Sequence, residues 1–151
     1  MDRARWRTTL TYRLLPTLQL GVEYNPAVGE VNPMGTWFLL TEESRRPAVF
    51  LGTSSDRIGS PEGTQAVYLT AAKYLERVPV SPYVSLNYSE WDEGINFPFG
   101  AEWYVYGGYS ARFMYDGNQP HAVVSWFGER FGVSLMAVWL DTFGISVAGG
   151  F

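Results

Sequence analysis

Seven charged side chains fall on one face of the extended segments of this chain: Arg5, Arg7, Arg13, Glu23, Lys73, Glu102 and Arg112. Carboxylates and guanidiniums gathered on one surface can act as a selectivity ladder or a track for an anionic polymer. The same set can neutralise itself and fill a narrow interior as an electrostatic plug, because charges removed from water must pair. A second group is acidic and lies in loops: Asp56 and Glu62, then Glu90, Asp92 and Glu93. Carboxylates of this density supply hard oxygen ligands of the kind calcium takes, but their spacing matches no EF-hand loop. Repulsion from, or divalent bridging to, anionic lipopolysaccharide would account for them as well as calcium, and plain solvated loops are the expectation. The single His, His121, lies four residues before Ser125. On a strand those positions are ~13 Å apart at ~3.3 Å per residue, beyond the reach of a nucleophile and its base. His121 follows Gln119-Pro120, which predicts a solvated loop histidine. A hydrolase centred on His121 would need a carboxylate and a hydroxyl at ~2.6–3.2 Å from the ring.

Other chemistry is excluded by composition. With no Cys there is no disulfide, no thiolate nucleophile and no Cys-based zinc site. A formal charge of −4 argues against a general nucleic-acid binder. No phosphate-cradling Gly-rich loop or dinucleotide fingerprint occurs, so no cofactor is expected.

The elements that carry these residues read as strands. Helical periodicity is nearly absent and alternation with period two is widespread. Eleven strands are predicted, near 5–14, 17–24, 34–42, 47–54, 64–75, 81–89, 99–106, 109–116, 121–128, 131–140 and 142–151. Short connections (Pro16-Thr17, Glu43–Arg46, Glu76–Val80, Gly107-Gly108, Glu129-Arg130) alternate with longer ones (Asn25–Pro33, Ser55–Gly63, Glu90–Pro98, Gly117–Pro120). In Asp56–Gly59 and Asn96–Gly100 the pattern suggests ordered loops folding over the barrel mouth, with Phe97 and Phe99 as a lid or as contacts for a partner. No domain boundary or linker is visible in 151 residues. The expectation is one all-β domain, an antiparallel up-and-down transmembrane β-barrel of about 10–12 strands.

The alternation also indicates which face meets which environment. Leu10, Tyr12 and Leu14 oppose Thr9, Thr11 and Arg13. Leu20, Val22 and Tyr24 oppose Gln19, Gly21 and Glu23. Phe143, Ile145 and Val147 oppose Gly144, Ser146 and Ala148. The polar face is Gly, Ser, Thr, Asn and Tyr with scattered Arg and Glu rather than the Lys and Glu of a wet sheet. Trp6, Tyr24, Trp37, Tyr74, Tyr88, Trp103, Trp126 and Trp139 recur near strand ends, as interfacial aromatic belts do. Both features, with the terminal Phe151, favour lipid outside and polar groups inside, in a bacterial outer membrane. A soluble barrel would instead turn Phe143, Ile145 and Val147 inward. An odd strand count sits poorly with the even numbers of single-chain bacterial barrels. Two segments could be one, giving ten; a strand ahead of residue 5 could be lacking, implying twelve; or a strand could come from another chain.

The runs LTYRLLPTLQLGVEYNP (10–26), RPAVFLGTSSDRIGSPEGTQAVYLTAAKYL (46–75) and PYVSLNYSEWDEGINFPFGAEWYVYGGYSARFMYDG (82–117) resemble the YjbH-type bacterial outer-membrane β-barrel lipoproteins linked to exopolysaccharide genes. The resemblance covers most of the chain and rests on barrel-type hairpin patterns. It implies a non-enzymatic outer-membrane protein, a structural barrel or a narrow conduit and docking element of an envelope or exopolysaccharide-export assembly. Its partners would be outer-membrane lipid, lipopolysaccharide and other envelope proteins.

Overall fold

In a computed structural model, residues 6–57 and 59–150 are described. Arg5 and Phe151 therefore lie outside the described residues. Every regular element among these is a strand: β1 (Thr8–Leu15), β2 (Leu18–Asn25), β3 (Glu30–Leu40), β4 (Ala48–Ser55), β5 (Gln65–Ala72), β6 (Val80–Ser89), β7 (Gly94–Asn96), β8 (Phe99–Val105), β9 (Tyr109–Tyr115), β10 (Pro120–Phe127), β11 (Phe131–Val138) and β12 (Thr142–Gly149). They form one antiparallel sheet in the order β1-β2-β3-β4-β5-β6-β8-β9-β10-β11-β12, with β7 paired to β6 beside that path. Along that order each strand hydrogen-bonds to its neighbour, so the chain is a meander with no crossover. The chain falls into two compact units, Met1–Ala71 with Ser85–Phe97, and Ala72–Val84 with Pro98–Phe151.

β7 and β8 are two halves of one strand. Val84 pairs with Phe99 and Asn87 pairs with Asn96, three residues on along each strand, so one register runs through both. The break falls at Phe97-Pro98, where Pro98 has no N–H to give the ladder. Among the described residues the ladder therefore has eleven strand positions, and none of the eleven predicted segments merges with another. The ten-strand alternative is excluded. The long loop expected at 90–98 is shorter than that, because Gly94–Asn96 pairs with the end of β6. β3 likewise begins at Glu30, so the connection expected at 25–33 reduces to 26–29.

The β11–β12 connection departs from expectation in the other direction. Strand 131–140 stops at Val138, and Trp139 and Leu140 both take left-handed φ, 55° and 58°. The connection is three residues long, 139–141 between the paired Val138 and Thr142. The Asp141 N–H donates to the Val138 carbonyl at 3.2 Å. Trp139 and Leu140 are therefore the central residues of a β-turn, where Asn or Gly normally supplies such φ values. By contrast, Gly107 and Gly108 make the β8–β9 turn with φ of 82° and 80°, where glycine carries no penalty.

Burial runs opposite to that of a water-soluble domain. The buried hydrophobic residues are Ala66, Val80 and Val138. The buried polar set is larger and includes Glu23, Asn25, Asn32, Thr70, Ser85, Asn87, Ser89, Glu102, Ser110, His121 and Ser125. Along β6, Val84, Leu86 and Tyr88 are exposed while Ser85, Asn87 and Ser89 between them are buried. β2 repeats this with Leu20, Val22 and Tyr24 exposed and Glu23 buried. Phe143, Ile145 and Val147 of β12 are exposed as well. Phe97 and Phe99 are exposed as well, Phe99 against Tyr115 with ring centroids 5.5 Å apart.

Candidate functional site

In each unit a buried carboxylate meets a guanidinium and a hydroxyl. In the first unit Glu23, on β2, is buried. Its Oε1 lies 3.2 Å from the Arg7 guanidinium, and its Oε2 accepts the Ser55 N–H at 3.0 Å and the Ser55 hydroxyl. Arg13 lies on β1, the strand next to Glu23. The register places Thr9 opposite Glu23 and Gln19 opposite Arg13, so the ion pair goes to Arg7, two residues nearer the start of the chain. In the second unit Glu102, on β8, stands directly across from Arg112 on β9. Its Oε1 accepts the Ser110 hydroxyl at 2.7 Å and its Oε2 the Arg112 guanidinium at 2.6 Å. Both carboxylates are buried and both arginines half exposed, so each cluster leaves a cation partly available on the covered side. Lys73 lies just past β5 and donates its backbone N–H to the Pro82 carbonyl.

A row of serines crosses the second unit. Ser110, Ser125, Ser134 and Ser146 are register partners on successive strands, β9 to β12. The Ser125 and Ser134 hydroxyls are 2.8 Å apart. Small hydroxyls on one face let that surface stay polar without filling it.

His121 is not a solvated loop residue. It is the second residue of β10, is 4% exposed and belongs to the covered face. Its Nε2 lies 2.8 Å from Asp116 Oδ2, while Asp116 Oδ1 accepts the backbone N–H groups of Asn118 and Gln119 at 2.8 and 2.7 Å. Burial works against ionisation of Asp116. The hydrogen bonds from His121, Gln119 and Asn118 outweigh it and hold the carboxyl below the usual carboxylate range. With Asp116 ionised, Nε2 is the nitrogen that carries the proton. The pair therefore locks the 116–119 turn to β10. The carboxylate required for a catalytic histidine is present, but the hydroxyl is not: Ser125 is bonded to Ser134, and among the described residues no hydroxyl is hydrogen-bonded to the imidazole.

Of the acidic loop residues of the first unit, Asp56 is not solvated. Asp56 is 1% exposed and accepts from the Ser89 hydroxyl at 2.7 Å, the Trp91 N–H at 3.2 Å and the Arg57 N–H at 2.8 Å. Arg57 closes the clasp, forking onto both oxygens of Asp92 and stacking 4.3 Å from the centre of the Trp91 ring. Glu90 accepts the Gln65 N–H at 2.7 Å. Asp56, Asp92 and Glu90 thus tie residues of the 56–64 and 90–93 loops to their neighbours. Glu62 is exposed, and Glu93 sits at a left-handed φ of 50° in the short turn. Among the described residues no group of three or more His, Asp and Glu is placed to hold a metal ion.

The partners Ser55, Ser89, Ser110 and Asp116 carried no functional signal in the sequence. One cue existed: Asp116 precedes Gly117, and Asp-Gly before a strand marks a side-chain-stabilised turn. No protein-family model, curated protein or solved structure matches the chain.

Proposed function

We propose that this chain is a non-enzymatic transmembrane β-barrel of the bacterial outer-membrane type, a structural or narrow conduit and docking component of an envelope assembly. The carrying observation is the inversion of polarity: among the described residues fourteen buried side chains are polar or charged and three are hydrophobic. In water, apolar burial is the main term opposing chain entropy, and a sheet with almost no apolar core lacks it. In a bilayer the exposed Leu, Val, Ile and Phe stripe meets lipid, while the ladder satisfies the backbone. Tyr106, 99% exposed at the tip of the β8–β9 turn, suits the interface, where an aromatic ring and its hydroxyl are both accommodated. A soluble barrel around an apolar ligand would need the opposite orientation of these residues.

On this reading the Arg7–Glu23–Ser55 and Arg112–Glu102–Ser110 clusters line the interior. The plug interpretation accounts for the buried, paired carboxylates, and the half-exposed arginines would set a preference for anions in whatever passage remains. The polysaccharide-export association rests on the sequence resemblance alone. Lipid, lipopolysaccharide and other envelope proteins are the partners this location supplies.

The test is refolding with and without detergent micelles, followed by circular dichroism and by gel mobility of the unheated sample. The expected result is β-structure only with micelles and a heat-modifiable shift. A monodisperse β-rich monomer in plain buffer would overturn the proposal. Reconstitution into vesicles with an entrapped anionic dye then separates plug from conduit by the presence or absence of leakage.

A further inference from the structure

We draw no further inference here: the strongest candidate, the outer edge of β12 with its uncharged, proline-free run Thr142–Gly149, carries nothing because nothing in the structure shows what covers it.

Discussion

A valine-to-arginine pair separates a lipid-facing surface from a watery one. Val124 lies in the middle of β10, 56% exposed, with Ala111 and Leu135 as its register partners on either side. Leu135 is itself 63% exposed, so the site lies within an apolar patch. If that patch faces the centre of a bilayer, Val124→Arg costs about 2–4 kcal/mol. That is about 30- to 700-fold in the folding constant. On a water-exposed sheet the same change falls within about 0.5 kcal/mol. Val105 supplies the internal control: it is similarly exposed but is the last residue of β8, beside the 106–108 turn. Near the interface an arginine costs about 0–1 kcal/mol, so Val105→Arg should be mild. The assay is reversible urea unfolding from phospholipid vesicles, followed by tryptophan fluorescence. A penalty at Val124 under about 0.5 kcal/mol, equal to that at Val105, would refute the assignment of this face to lipid.

The Glu102–Arg112 pair should show a coupling of about 1 kcal/mol in a double-mutant cycle with Glu102→Gln and Arg112→Met, limited by the half-exposed arginine; strict additivity would mean the two do not interact in the folded state. Asp116→Asn should lower stability by about 1–2 kcal/mol at neutral pH. Because the folded Asp116 carboxyl titrates below its ordinary value, its contribution is fully present above about pH 4 and is lost as pH falls through the lowered folded value. The gap between wild type and variant in urea midpoint should therefore close in strong acid, and a gap that widens there contradicts the sign. Arg57→Ala removes the fork onto Asp92 and the stack on Trp91, so a Glu-specific protease should cut at Glu62 and Glu90 several-fold faster; unchanged cutting would show the loops are held otherwise. Gly100→Ala places a methyl 2.6 Å from the Phe113 carbonyl oxygen and 2.9 Å from the Tyr83 ring, and should cost about 1–3 kcal/mol in the same urea assay.

Alternation made the strands legible. A period of two needs no knowledge of partners, and where the Leu, Val and Tyr of β2 and β6 alternate with Gln, Ser and Asn, faces and approximate limits follow from the sequence. What stayed hidden depends on how strands align. The choice of Arg7 over Arg13 as the partner of Glu23 is a matter of cross-strand register, and nothing local to either arginine encodes it. β7 escaped because Gly94, Asn96 and Pro98 all read as loop, yet pairing with β6 overrides that weak propensity. The turn at Trp139-Leu140 escaped for a related reason. Left-handed φ at two bulky residues contradicts local preference and is held by the eight-position ladder of β11 and β12 on either side. The polar sites show the same division. Donors and acceptors could be read as types, but Asp56 and His121 were both assigned to solvent, because a loop position is ordinarily wet. Each is buried because partners brought by the sheet, Ser89 and Trp91 in one case and Asp116 across a turn in the other, use its lone pairs or its proton. In a chain whose covered face is polar, burial no longer follows from hydrophobicity. Register and hydrogen-bond partners decide it, and these are the terms a single sequence carries least.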